Sequence, residues 1–442
     1  MHPFYIMAKP VCGVCNLACQ YCYYLDKPRT LYPGVQRFMM DEPVLDTYVR
    51  QYLATQPVQA NFGWQGGEPL LAGLEFYRRA VELQKEHGQS GQVVANALQT
   101  NGTLLDEAWC DFLAEHKFLV GLSLDGPPEW HDSFRRDRAG EPSFARAWRG
   151  LEMLRARGVE FNVLVTLNSR NAPHVGDIYR YFVNRGVRWL QFIPVLEKDE
   201  QGRPREFSCT GAQFGRFMLE VFELWRTRHI GAVSERLIDS VLNSIVHGQA
   251  AVCCNARRCA NAYVLEFNGD LYACDHFVYR EWLIGNILQR PLAELVVDPL
   301  LEEFAALKED LPQACRECEF LAWCNGGCPK HHIPDAAGRD PARVNHFCEG
   351  YKMFFGHALP ELKRIASAVQ RGEEPAAIMA AGAITRVAGA AGVAGVSPAQ
   401  KTPGSPSSPD AGGTPATHRT PRRNELCPCG SGRKFKQCCG RR

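Results

Sequence analysis

The stretch Cys12-Gly13-Val14-Cys15-Asn16-Leu17-Ala18-Cys19-Gln20-Tyr21-Cys22-Tyr23-Tyr24 places Cys15, Cys19 and Cys22 in a C-x3-C-x2-C run on one short loop. The residues before it, Tyr5 to Lys9, read as a strand, so the thiols stand at a strand's C-terminal end. Three thiolates at this spacing suit an iron–sulfur cluster. They are one ligand short, because closed structural metal sites have four protein ligands, and one iron is left to a ligand that is not protein. A zinc knuckle is the alternative if the spacing is taken alone.

Working outward, β-branched and aromatic runs alternate with amphipathic stretches of helical length over the first 230 residues. Strands are expected at Tyr5 to Lys9, Ala60 to Trp64, Val93 to Gln99, Leu119 to Leu124, Glu160 to Thr166 and Trp189 to Ile193. Helices are expected near 42–54, 73–88, 105–116, 143–157 and 174–185. Six β/α units predict an α/β fold with a parallel sheet closing into a partial barrel, whose chemistry belongs at the C-terminal strand ends. Three loops there agree. Gly66-Gly67-Glu68-Pro69 follows the second strand, Gln99-Thr100-Asn101-Gly102 the third and Ser123-Leu124-Asp125-Gly126-Pro127 the fourth. Each reads equally as ordinary turn chemistry when taken singly. The glycine pair is the more specific, since only glycine backbone lets a ligand approach so closely.

The chain has 442 residues, is 45% hydrophobic and carries a net charge of +2, which describes a globular protein of two or three domains. It lacks a run of about 18 apolar residues, and Met1 to Pro10 has no charged n-region or h-region, so no membrane association and a cytoplasmic location are expected. Nineteen cysteines in a reducing compartment point to metal ligation rather than disulfides. Eight of them form a second set: Cys253, Cys259, Cys274, Cys315, Cys318, Cys324, Cys328 and Cys348. Zinc-ribbon pairs are the alternative for these. Cys254 adjoins Cys253 and is exchangeable with it on spacing, while Cys12, Cys110 and Cys209 read as buried thiols.

The first cysteine loop with the Gly-Gly-Glu motif resembles the radical S-adenosylmethionine (SAM) enzymes, and the second cysteine set resembles the SPASM domain. Over about residues 5–360 the chain is similar to the anaerobic sulfatase-maturating enzymes, through Gln65-Gly-Gly-Glu-Pro, Ala72-Gly-Leu-Glu-Phe, Leu98-Gln-Thr-Asn-Gly-Thr-Leu, Lys117-Phe-Leu-Val-Gly-Leu-Ser and Leu190-Gln-Phe-Ile in order. The resemblance implies oxidation of a sulfatase cysteine or serine to formylglycine. It implies three 4Fe-4S clusters: one on Cys15, Cys19 and Cys22 that offers an iron to SAM, one on Cys253, Cys259, Cys274 and Cys328, and one on Cys315, Cys318, Cys324 and Cys348. It further implies SAM contacts at Tyr21, Gly66, Gly67, Glu68, Ser123, Arg135 and Leu196, a substrate-facing Tyr24, and Asp275, directly after Cys274, as general base. The Asn268-Gly269 hairpin signal would hold Asp275 at a strand end. Expected partners are a nascent or unfolded sulfatase polypeptide and an electron donor such as flavodoxin or ferredoxin. Two rivals stand beside this reading. One is another SPASM-type peptide maturase, such as a thioether-forming enzyme, which the start of the cluster loop at Cys15 leaves short of a precursor-binding domain. The other is a non-catalytic zinc protein.

The expected organisation is a barrel over 1–235, a SPASM domain with a C-terminal helix over 236–366, a low-complexity linker over 367–421 and a small terminal motif over 422–442. The linker is rich in Ala, Gly, Pro, Ser and Thr and cannot build a core. Residues 401–442 hold nine Lys or Arg against two acidic residues, so a basic tail follows an acidic body. Cys427, Cys429, Cys438 and Cys439 give C-x-C-x8-C-C, a four-thiolate set that suits one zinc ion and lets a very short segment fold on metal. This end resembles the SEC-C motif, which implies a protein partner in preference to nucleic acid.

Overall fold

The computed structural model describes residues 4–259, 262–333 and 344–379. Met1–Gly389 form one compact unit and Ala390–Arg442 a second, and the second lies outside the described residues, as do Cys427, Cys429, Cys438 and Cys439. Six strands follow the alternation read from the sequence: β1 (Tyr5–Lys9), β2 (Gln59–Trp64), β3 (Val93–Thr100), β4 (Leu119–Ser123), β5 (Phe161–Leu167) and β6 (Trp189–Pro194). Each neighbouring pair is parallel, with Ile6 opposite Phe62, Ala60 opposite Val94, Gln99 opposite Gly121, Gly121 opposite Asn162 and Thr166 opposite Ile193.

The crossover helices Glu42–Thr55, Leu74–His87, Glu107–Glu115, Phe144–Ala156 and Val175–Val183 cover the outer face. Their starts are set by side-chain caps where Asp41 accepts from Val44 N and Asp106 from Trp109 N. Tyr48, Tyr52, Phe62, Trp64 and Tyr77 are fully buried between sheet and helices in a chain of edge-to-face and stacked rings. Each such side chain stabilises the layer by about 1.5–3 kcal/mol.

The sheet does not stop at six strands. Among the described residues it has ten, in the order β10-β9-β8-β1-β2-β3-β4-β5-β6-β7. A two-residue β7 (Ser234–Glu235) extends one edge beside β6. At the other edge β8 (Ala262–Glu266) pairs in parallel with all five residues of β1, followed by antiparallel β9 (Asp270–Tyr272) and β10 (Leu283–Asn286). A partial barrel leaves two rows of unpaired backbone groups, and the second cysteine region satisfies one of them. That pairing carries the segment after β9 to the inner side of β1, where the first cysteine loop begins. Among the described residues no helix is long and apolar enough to cross a membrane.

Candidate active site

The cysteine loop leaves β1 and is pinned from several sides. Ala18 N donates to Arg136 O at 2.8 Å, Leu17 bridges to Asp137, and Leu17 N donates to Cys15 Sγ at 3.3 Å. Asn101 Nδ2, at the end of β3, donates to the same sulfur at 3.7 Å. Cys15, Cys19 and Cys22 surround a small apolar cluster of Leu17, Tyr21, Phe134 and Val195. Burial pushes the Cys15 thiol up to about 11 and Cys19 up to about 12. Thiolates in this place therefore need a cationic partner to compensate them, which an iron–sulfur cluster supplies.

The glycine pair lies against this loop. Gly67 N donates to Cys12 O at 2.7 Å and Glu68 N to Val14 O at 2.8 Å. A Cβ on Gly66, whose φ is +136°, would stand 2.7 Å from Cys12 O, and one on Gly67 would stand 2.0 Å from Val14 O. The cysteine loop's own backbone approaches these glycines closely. Glu68 is wholly buried, and its carboxylate accepts from Leu70 N, Thr100 Oγ1 and Asn101 N. It thus ties the second strand's loop to the third strand's end.

Tyr21 donates to Asp125, which also accepts from Arg135 Nε at 2.9 Å and Thr166 N at 2.9 Å. The Arg135 guanidinium reaches Thr166 Oγ1 at 3.1 Å, and Ser123 Oγ accepts from Gln99 Nε2 at 3.1 Å. Tyr21, Ser123 and Arg135 therefore converge on the strand ends above β4 and β5. Leu196, just beyond β6, is buried in the main core.

Asp275 sits in the turn after β9 and is brought to the foot of the cysteine loop. Lys9 Nζ contacts its Oδ1 at 2.6 Å, Tyr23 OH donates to Oδ2, and Lys9 also donates to Gln65 Oε1 at 3.1 Å. Burial would raise this carboxyl, but the Lys9 charge, His276 and the hydrogen bonds outweigh it and hold it at about 2. Tyr24 is buried under Lys9, whose ammonium lies 4.4 Å from the ring centre, and donates to Glu266. Lys9, Gln65, Tyr23 and Glu266 were not singled out from the sequence. Each pairs with a residue remote in the chain, so its role could not be read locally even where, as for Gln65 and Tyr23, it lies within a quoted motif.

Cys259 and Cys274 each lie within electrostatic reach of Cys253 and Cys328. Cys253 is exposed, whereas Cys254 is turned inward with Sγ 3.3 Å from Asn255 Oδ1. Lys308 Nζ braces this corner by donating to the carbonyls of Cys253 and Cys254 at 3.1 and 2.9 Å. Cys315, Cys318, Cys324 and Cys348 line a single small cavity together with Tyr351 and Lys352, a donor set that suits an iron–sulfur cluster. Cys12, Cys110 and Cys209 are buried, and every cysteine among the described residues is a free thiol.

Residues 10–182 match the radical SAM superfamily, 246–319 the iron–sulfur cluster-binding SPASM domain, and 423–441 the SEC-C motif. The chain is 37% identical over 396 residues to the serine-type anaerobic sulfatase-maturating enzyme of Bacteroides thetaiotaomicron, covering 86% of this chain and 95% of that one. The chain belongs to the anaerobic sulfatase-maturating enzymes. The cysteine-type enzyme of Clostridium perfringens is 36% identical over 374 residues, covering 84% of this chain and all of that one. A solved structure described as native anSMEcpe with bound AdoMet and Cp18Cys peptide superposes with a TM-score of 0.76 at 34% identity, covering 83% of this chain and 100% of that one. A maturating enzyme of this family uses SAM and more than one 4Fe-4S cluster, and the three cysteine groups here have the donor chemistry for them.

Lys9 gives a direct test of the electrostatics around Asp275. Removing its charge leaves burial as the main influence, so the carboxyl protonates at higher pH. In Lys9→Met the acid limb of kcat/KM against pH is expected to move up by about one unit or more, with SAM cleavage in the absence of peptide near wild type. An unmoved limb shows that the group titrating there is not held by Lys9.

Proposed function

We infer that this chain oxidises a cysteine or serine of an unfolded sulfatase segment to Cα-formylglycine, consuming SAM as 5′-deoxyadenosine and methionine. The observation that carries the reading is Asp275, held ionised by Lys9 and Tyr23 at the edge where β8 and β9 join β1, beside the cysteine loop. When bound, the cluster of Cys15, Cys19 and Cys22 supplies reductive cleavage of SAM to a radical that takes a hydrogen atom, and the auxiliary clusters supply an electron sink. The protein's own part is orientation and proton handling. Asp125 and Arg135 fix Tyr21 and the ends of β4 and β5, which supports their assignment with Ser123 to the SAM site. Asp275 accepts the proton of the target thiol or hydroxyl; each carboxylate oxygen has a second lone pair beyond its bond to Lys9 or Tyr23. Lys9 stabilises the charged form before transfer, and Tyr23 fixes the carboxylate's orientation. The test is mass spectrometry of cysteine and serine sulfatase-motif peptides after anaerobic incubation with SAM and a reductant. Aldehyde formation at the target residue supports the reading, and unmodified peptide beside consumed SAM sinks it.

The reading extends to an electron donor of the flavodoxin or ferredoxin kind, to action in the cytoplasm and to one zinc ion on Cys427, Cys429, Cys438 and Cys439. Support for the zinc is the four-thiolate spacing and the SEC-C match. The tail would bind a protein partner and stand apart from the chemistry. Truncation before Ser397 is expected to leave turnover of a short peptide unchanged while lowering maturation of full-length sulfatase in cells. Loss of short-peptide turnover with the core iron retained contradicts that division.

A further inference from the structure

The cysteines of the first auxiliary set have two hydrogen-bond donors beside them, Lys308 and His276. Lys308 is 1% exposed. Its ammonium donates to three backbone carbonyls, those of Cys253 at 3.1 Å, Cys254 at 2.9 Å and Ala256. Among the described residues it has no carboxylate partner, and Glu309, its neighbour in the chain, is bound to Arg258 at 2.7 Å. A buried charge without a counter-charge is costly, so Lys308 calls for an anion close by.

The cluster that the surrounding cysteines hold supplies it. Burial pushes the thiols of Cys259 and Cys328 up, and the Lys308 charge lies close enough to both to oppose it. Four thiolates leave a 4Fe-4S cluster net negative, and reduction adds one more negative charge. A fixed, buried cation therefore stabilises the reduced form more than the oxidised one. Lys352 beside the second auxiliary set is exposed by contrast, and water and salt screen it.

His276 acts on the same cluster from another side. Its Nδ1 lies 3.6 Å from Cys328 Sγ. A ligating thiolate carries no proton, so in this contact the imidazole N–H donates to the sulfur. The ring is held in place edge-on to Tyr23, with centroids 5.4 Å apart, and tilted against His331 at 6.4 Å. Hydrogen bonds to ligand sulfurs also favour the reduced cluster, because the added electron density is shared with sulfur. Cys274, Asp275 and His276 are consecutive, so one short turn supplies a cluster ligand, the base and a donor to a second ligand of the same cluster.

We propose that Lys308 and His276 raise the reduction potential of the cluster on Cys253, Cys259, Cys274 and Cys328, and so make it the acceptor for the electron that leaves the target residue. The source of that electron rests on the maturase reading above. In that reaction the target side chain gives one hydrogen atom from its β-carbon to the 5′-deoxyadenosyl radical and one proton from its thiol or hydroxyl to Asp275. One electron is released as the carbon–sulfur or carbon–oxygen double bond forms, and the oxidised cluster takes it up. Lys308 and His276 act through the cluster and are positioning residues.

The test is a redox titration of the anaerobic, full-length holoenzyme followed by electron paramagnetic resonance, comparing Lys308→Met and His276→Phe with wild type. The transition missing from Cys274→Ala identifies the cluster in question. Each variant is expected to make it at least about tenfold harder to reduce, a fall of about 59 mV in midpoint for one electron, with the other midpoints and the iron content unchanged. Lys308→Arg, which keeps the charge, is expected to restore the midpoint. Arg258→Gln is the control, because Arg258 is exposed and already compensated by Glu302 and Glu309. The inference is overturned if neither Lys308→Met nor His276→Phe lowers the midpoint, whether the site keeps its iron or loses it. If wild type makes formylglycine while the midpoints stay, the tuning alone fails. If the midpoints fall as expected but wild type makes no formylglycine, the maturase reading fails and the tuning stands.

Discussion

The Cys19→Ala enzyme is expected to release no 5′-deoxyadenosine above background while still holding about eight irons per chain on its auxiliary cysteines. The expectation follows from the ligand count. The first loop offers three thiols, so loss of one leaves two, and a cluster with an iron open to SAM cannot be held in place. Cys19 is buried beside Tyr21 and Phe134. The auxiliary groups draw on different segments, with Cys315, Cys318, Cys324 and Cys348 sharing their own cavity, so their iron is independent of the loop. Retained 5′-deoxyadenosine production in this variant removes the radical SAM assignment. Loss of all iron shows instead that the loop organises the whole fold.

The Asp275→Asn enzyme is expected to assemble its clusters and bind SAM yet to make formylglycine about 10²- to 10⁴-fold more slowly, the range for loss of a positioned general base. Asparagine keeps the shape and the bond from Tyr23 but cannot take a proton at neutral pH. It also leaves the Lys9 ammonium, whose side chain is 2% exposed, without its carboxylate. Breaking a buried pair on one side costs about 3–5 kcal/mol, so instability is a second cause to separate. The Lys9→Met, Asp275→Asn double variant does so by removing both charges. Recovered stability with turnover still lost assigns the defect to the base. Near-normal product from Asp275→Asn takes the residue out of the chemistry.

The barrel was legible because a parallel strand buried on both faces and its crossover helix leave different periods in the sequence. All six strands and five helices lie within a few residues of the expected positions. The ten-stranded sheet was not legible. The Asn268-Gly269 hairpin announces β8 and β9, but their union with β1 joins residues some 260 positions apart, and β7 is too short to carry a pattern. The three cysteines of the first loop stood out by their spacing, whereas the grouping of the second set was implied by resemblance and not by spacing. Lys9 did not stand out. It ends a strand as an ordinary basic residue and gains its role only from a carboxylate 266 positions away. Similarly, Tyr23 and Tyr24 are indistinguishable as neighbours until the fold sends one to Asp275 and the other to Glu266.

The most direct measurement uses a sulfatase-motif peptide deuterated at the β-carbon of its target residue, with the deuterium content of the 5′-deoxyadenosine read by mass spectrometry alongside the peptide product. The result expected is one deuterium in 5′-deoxyadenosine for each formylglycine formed. Formylglycine without deuterium transfer, or 5′-deoxyadenosine formed from peptide-free solvent hydrogen alone, would contradict the placement of the target side chain between the SAM site and Asp275.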